Sequence, residues 1–562
     1  MYTPDLAPVG HSLLLSALVA VLPLLTVFVT LGVLRWKAHW AGLTGLAVAL
    51  VIAVAVYRMP ATLAGLSATE GFVFGLFPIM WIVLNAIWLY ELTVASGRFE
   101  DLRGVIDRIS DDPRIQAIII AFCFGGLLEA LAGFGAPVAI TGVMLMSIGF
   151  TAMRAAVVVL VANTAPVAFG AIATPIITAG ALTNIPYAEI GAVVGRQTPL
   201  LALFVPLILV LLADGRRGLR DTWPIALVVG VTFAVAQFIA SNHLSVELTD
   251  VIAALAALAA AVLMLRVWRP ANSAEARDRM LRERADEQDG VGGPAPRPAG
   301  AVAVAERTPG RIELTPSRVV LALFPYLLVI TVFAIAKLVG PVKKWLGSTD
   351  VKFGWPGLNG QVLTAAGKAS TSTIYTWGWL SSPGTLLLIC GVIVAAVYRL
   401  SLADAARVYG RTFWKMRYSI LTVAAVLALA YVMNQSGQTL TIGQWIAGTG
   451  ALFAFLSPIL GWLGTAVTGS DTSANALFAT LQQAAAQHAG IDPTLVVAAN
   501  TSGGVVGKMI SPQNLTIAAT AVGLLGHESA IFRRVIWWSI GMLFVLCLLV
   551  GLQSTVLSWM LP

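Results

Sequence analysis

Residues 125–140 read GGLLEALAGFGAPVAI, and from Ile115 to Met153 the one charged side chain is Glu129. A charge at the bilayer centre costs roughly 2.5–3.5 kcal/mol even on the lenient insertion scale, so an isolated carboxylate in such sequence marks a functional site. Proton binding is the chemistry it offers, and the plainer alternative is a paired structural carboxylate. A second stretch, VTGSDTSANA at 467–476, holds Asp471, the only charged residue between Arg417 and Asp492. Asp471 either carries a proton or caps the helix that follows, and one side chain can do both. Lys508, in AANTSGGVVGKMISPQ (498–513), stands too deep in its apolar segment to reach either surface. It either holds a substrate carboxylate or neutralises Asp471. Arg196 lies nearer the end of its crossing, where it snorkels to the interface or makes a second anion contact. His488 caps or faces water at the base of its segment.

Around these charges stand residues that break helices. Gly133, Gly135 and Pro137 follow Glu129, and Gly469, Ser470 and Thr472 surround Asp471. Glycine frees the backbone and proline can start a returning helix, so each cluster reads as the tip of a hairpin. The dipeptides Asn163–Thr164 and Asn500–Thr501 read as points where the next helix unwinds. Unwound backbone at membrane depth persists only inside protein or along a cavity. There, amides, hydroxyls and free N–H groups suit an anionic substrate. The plainer alternative is a set of kinked Gly/Ala packing seams.

Positioning these groups is the task of a membrane fold. The chain has 562 residues, 58% of them hydrophobic and 11% charged, with a mean hydropathy of +0.86. Soluble domains carry about 25% charged residues. Runs such as Ser12–Leu34, Gly71–Ala95, Pro199–Leu212, Val251–Leu265 and Val535–Leu557 approach or exceed the ~20 residues of a spanning helix. No basic segment precedes the first run, which therefore reads as a retained transmembrane helix. The formal charge of +8 belongs to short loops and implies topology, not nucleic-acid binding. Arg35 and Lys37, then Arg98 to Arg114, Arg216 to Arg220, Arg266 to Arg318 and Arg399 to Arg417 mark one side. The loops at 181–188, 243–247 and 434–445 hold no Lys or Arg. The basic loops are then cytoplasmic and both termini lie outside. Cys123, Cys390 and Cys547 are scattered through apolar runs and suggest neither disulfide nor metal site.

The chain divides into 1–269 and 318–562 around a charged, Pro/Gly/Ala-rich linker at 270–317. That linker reads as cytoplasmic and disordered, with a short helix near Ala274–Ala285. An outer loop at 341–382 places its aromatics at the membrane interface. The two halves echo each other. Gly133 and Gly469 stand 336 apart; Asn163–Thr164 and Asn500–Thr501, Gly170 and Gly507, Pro175 and Pro512, and Arg196 and Arg533 stand 337 apart. Hairpins at about 115–153 and 444–488, with broken helices at about 154–179 and 493–526, form the repeated unit. The charge map puts the base of the first hairpin inside and of the second outside, so the repeats are inverted. Such repeats with broken helices point to a secondary transporter. The expected fold is an all-α polytopic membrane protein of about 12 crossings, at ~20 residues each, plus two re-entrant hairpins.

FCFGGLLEALAGFGAPVAI, NTAPVAFGA, GWLGTAVTGSDTSANALFATLQ, AANTSGGVVGKMISPQ and the ending VLSWMLP together resemble the bacterial L-lactate permease family. The likeness covers nearly the whole chain, the DGRRG loop included, and is least at 270–317 and 341–382. It implies proton-coupled uptake of L-lactate, and often D-lactate and glycolate, through the bacterial cytoplasmic membrane. It also implies kinship with ion transporters that hold substrate between two opposed hairpins and two broken helices, often as dimers; a homodimer would follow. Many of those relatives use sodium at Asn-Thr. This chain adds Glu129, Asp471 and Lys508, which fits a proton with a monocarboxylate. The expected cradle is Gly133, Gly135, Asn163, Thr164, Ser470, Thr472, Asn500, Thr501 and Lys508, with Glu129 or Asp471 carrying the proton. No cofactor is expected beyond the coupling ion. The alternatives are sodium coupling on the same scaffold and a lactate sensor with the linker as output. An enzyme is disfavoured, since no metal cluster, nucleophile constellation or cofactor loop stands out.

Overall fold

The computed structural model describes residues 1–107, 109–133, 135–290, 315–364 and 367–562. Of the linker expected at 270–317, residues 291–314 lie outside the described residues; a helix occupies Ser273–Gly290 before them. Among the described residues nine helices are long and apolar enough to cross a membrane. The longest, Tyr187–Leu244, has 58 residues, or about 87 Å at 1.5 Å per residue. Helical geometry fails at Asp214 and Gly215, and the chain folds back so that Gly230 packs on the backbone of Leu203. The helices define a multi-pass membrane protein.

Among the described residues one two-stranded sheet departs from all-α. In the loop at 341–382, Val351–Gly354 pairs antiparallel with Ile374–Trp377, Val351 opposite Trp377 and Gly354 opposite Ile374. Its β-branched and aromatic residues favour strands. The loop is also bonded to other parts of the chain. Tyr375 donates to the carbonyl of Phe77 at 2.5 Å, Trp355 to Thr69 at 3.3 Å, and the Tyr2 amide to Gln361 at 2.7 Å.

Two helix pairs lie at the centre. The helical stretch Pro113–Leu131 is buried along its whole length, while the other candidate spans are 33–61% buried. A helix apolar all round belongs inside protein. It ends at Ala132, and Gly133 and Gly135 turn the chain with φ of +28° and +86°. Pro137 then opens the return helix Ala136–Ser147. The second pair, Leu452–Thr468 and Asp471–Ala489, turns at Gly469, with φ of +75°, and Ser470, whose Oγ accepts from the Ser473 amide at 3.3 Å. Only glycine adopts such backbone without strain.

Each pair is followed by an interrupted helix. The first runs Ala152–Ala162, breaks from Asn163, and resumes as Gly170–Thr183 through a left-handed turn at Ala171, Ile172 and Ala173. The second corrects an expectation. Asn500 and Thr501 sit inside the unbroken helix Pro493–Gly507; the break falls at Lys508–Ile510 and Ser511, before Pro512–Ala521. The side chains of Asn500 and Thr501 find partners on a neighbouring helix and need no freed backbone. Pro512 instead bars its predecessor from helical geometry. Ser511 caps the new helix by accepting from the Asn514 amide at 3.3 Å.

Candidate functional site

The two halves meet in a buried ion pair. Lys508 Nζ stands 2.5 Å from Glu129 Oε1, their side chains 8% and 3% exposed. Asn163 Nδ2 donates to the other oxygen of Glu129 at 2.9 Å. Lys508 therefore pairs directly with Glu129, while its charge also acts on Asp471 from farther away. A Cβ on Gly170 would stand 2.9 Å from Glu129 Oε1, so this glycine lets the broken helix close over the carboxylate. Gly133 lies beside the same oxygen, and a Cβ there would be 3.7 Å away. Thr164, Lys508, Asn163 and Asn514 share a gap with no room for a water molecule. The carbonyl of Lys508, freed by the break, accepts from Ser511 Oγ at 3.0 Å and Asn514 Nδ2 at 3.2 Å.

Asp471 sits in the first turn of its helix, where an anion is favoured. Ser470, not Asp471, is the capping residue. One carboxylate oxygen of Asp471 accepts from Thr465 at 3.4 Å; the other, buried, has no hydrogen-bond partner. A Cβ on Gly504 would collide with Asp471 Oδ1 and come within 2.7 Å of Thr465 Oγ1. Each carboxylate is thus lodged against a glycine of the following helix. They are not equivalent, for Glu129 precedes its tip and Asp471 follows its own.

The remaining expected residues divide. Asn500 and Thr501 each donate to Asn475 Oδ1 at 3.0 Å, and Gln482 donates to Asn500 Oδ1 at 3.2 Å. This forms a polar cluster of its own. Thr472 is buried. Gly135 packs against Ile517. Ser470 lines a cavity of ≈ 1150 Å³ with Lys37, Tyr418, Ser473, Gln513 and Ile517. Arg196 binds Asn242 Oδ1 at 3.0 Å and the Met560 carbonyl at 2.6 Å, which ties it to the chain's end and not to the ion pair. His488 is exposed.

Sequence reading missed several buried carboxylates, Glu70 and Asp250 among them. Glu70 accepts from Gln435 at 2.8 Å, and Asp250 accepts from Gln237 at 3.0 Å; both are fully buried. Each abuts an apolar run, Gly71–Ala95 or Val251–Leu265, and so reads as its polar end. Among the described residues no group of three or more His, Cys, Asp or Glu could hold a metal ion.

The helices and buried charges define a multi-pass membrane protein with a polar centre where its halves meet. The L-lactate permease family model matches residues 16–557, and the chain belongs to that family, one of permeases and not of enzymes. It is 42% identical to the L-lactate permease of Bacillus subtilis over 100% of both chains. It is 41% identical to the glycolate permease GlcA of Escherichia coli, covering 100% of this chain and 99% of the relative. A solved structure of Neisseria gonorrhoeae MtrF, described among antimetabolite efflux pumps, aligns with 87% of this chain and 83% of its own. Its identity is 13% and its TM-score 0.43.

Proposed function

We propose that this chain is a proton-coupled symporter for L-lactate and related 2-hydroxymonocarboxylates, D-lactate and glycolate included, in the bacterial inner membrane. The observation that carries the reading is the Glu129–Lys508 pair. Removing one partner of a buried pair leaves an uncompensated charge, at a cost of about 3–5 kcal/mol. Protonation of Glu129 removes one partner. Lys508 then needs an anion, and a lactate carboxylate supplies it. Substrate and proton are each disfavoured alone and favoured together, which is coupling.

The two helix pairs act as re-entrant hairpins of inverted repeats, about 12 crossings surround them, and both termini lie outside. Asn163, Thr164, Gly133, Gly135, Ser470, Thr472, Asn500 and Thr501 shape the substrate space, Asn163 beside the carboxylate it shares with Lys508. The closed gap at Lys508 supports an occluded site, and the cavity reaching Ser470 supports access from the side of Lys37. Asp471 either holds a second proton or steadies its helix.

Labelled L-lactate uptake into proteoliposomes, with proton and sodium gradients imposed separately, tests the reading. Wild type should accumulate lactate only with the proton gradient, and Glu129→Gln should exchange lactate without accumulating it. Accumulation driven by sodium alone, or unchanged in both Glu129→Gln and Asp471→Asn, would refute the mechanism.

A further inference from the structure

Asp250 lies in the first turn of the helix Thr249–Val267 and is fully buried. Its Oδ1 accepts from Gln237, while its Oδ2, equally buried, meets no donor. A purely structural role would be served better by a group whose atoms are all satisfied, since an unpaired buried acceptor costs about 1–3 kcal/mol. The orphaned oxygen has room in its chemistry for one proton.

Its surroundings give it a direction. Three residues earlier Glu247, 3% exposed, accepts from Tyr187 at 2.9 Å and Ser245 at 2.7 Å. These three residues line a cavity of ≈ 620 Å³ shared with Lys343 and Asp350 of the outer loop. On the inner side, Gln237 Nε2 also donates to the carbonyl of Ala165 at 3.3 Å. Ala165 is two residues from Asn163, which holds Glu129. Gly126, one turn before Glu129, faces Ala254, one turn after Asp250, at 3.6 Å for an added Cβ. The two carboxylates therefore occupy one layer and lie near enough for their charges to interact. Glu129 is the titratable group whose charge acts on Asp250, and Glu247 lies three residues before it in the chain; Gln237, which binds Asp250 from the long helix, is uncharged.

We propose that Asp250 is the relay through which the coupling proton passes between the outer cavity and Glu129. Asp250 Oδ2 takes a proton from water entering past Glu247 and becomes a neutral acid. It gives that proton to the Glu129 carboxylate, is itself restored to a carboxylate, and Lys508 is released for substrate. One proton enters and one leaves Asp250 in each cycle. The proposal rests on the proton-coupled reading above, but names a residue outside the substrate cradle.

The test uses the full-length protein in proteoliposomes, with labelled L-lactate and a pH-sensitive dye trapped inside. Asp250→Asn keeps the acceptor for Gln237 but cannot carry a proton. It should retain lactate exchange within about twofold of wild type and lose pH-driven accumulation and lactate-linked acidification by about tenfold or more. Asp250→Glu restores a titratable group and should recover accumulation. Normal accumulation and acidification in Asp250→Asn would overturn the proposal. So would loss of exchange in both variants, which would make Asp250 structural. If wild type itself shows no response to the pH gradient, the failure lies with the proton-coupled reading.

Discussion

Lys508 separates two kinds of loss. Lys508→Met leaves the Glu129 charge buried without its partner and should destabilise the protein by about 3–5 kcal/mol. Adding Glu129→Leu removes that charge and should recover most of the melting temperature in detergent, while uptake stays absent from both. If the double variant is no more stable than the single one, the pair is not the cost that couples proton to substrate. At this scale the sequence was informative about which residues matter and silent about how they pair. Glu129, Asp471 and Lys508 stand out because apolar residues surround them. The partnership of Glu129 with Lys508 spans 379 positions and depends on where two broken segments cross. Glu70 and Asp250 escaped notice because a carboxylate at the edge of an apolar run looks like its boundary. Burial here extends beyond the run.

Helix interruptions follow local chemistry where proline and glycine act, and tertiary contacts elsewhere. The turns at Gly133–Gly135 and Gly469–Ser470 were legible from residue type. The unbroken course of the helix through Asn500 was not, because Asn475 and Gln482 satisfy the polar side chains of 500 and 501 from another helix. Gly504 lies in that unbroken helix against Asp471 and Thr465. Alanine is the better helix former by roughly 1 kcal/mol, yet Gly504→Ala forces a Cβ into the carboxylate. Overpacking costs about 1–3 kcal/mol, so the melting temperature should fall and uptake with it; a rise would show that the helices do not approach this closely. Arg114, which reads as a loop charge, is fully buried instead. It binds Asp112 at 2.7 Å, Asp221 at 3.1 Å and Asp214 at 3.5 Å, and donates to the carbonyl of Ala271 at 2.7 Å. It thus fastens the start of the first central helix to the turn of the long one. Arg114→Met should cost about 3–5 kcal/mol, as an uncompensated buried charge cluster does, measured by thermal unfolding of the purified protein.

Among the described residues two cavities stand out, one at Lys37 and Ser470 and the other at Lys343 and Asp350. Their lining predicts orientation. Cys123, Cys390 and Cys547 are all buried, so introduced thiols report without removing them. Ser470→Cys should react with a membrane-impermeant maleimide only from the cytoplasmic face, and Asn242→Cys only from the outer face. The reverse pattern would invert the proposed topology. Multi-pass character could be read from composition alone; the paired strands at Val351 and Ile374 could not, because short strands in a polar loop leave no period long enough to recognise. The ion pair between the halves sets one further property under the proposed mechanism. The empty site holds one positive and one negative charge, and the loaded site, with Glu129 neutral and lactate on Lys508, again holds one of each. With Asp471 unchanged between them, both forms therefore cross the field as the same charge. Voltage across the membrane should do no work on the cycle: a potassium diffusion potential without a pH difference should leave lactate at equal concentration on both sides.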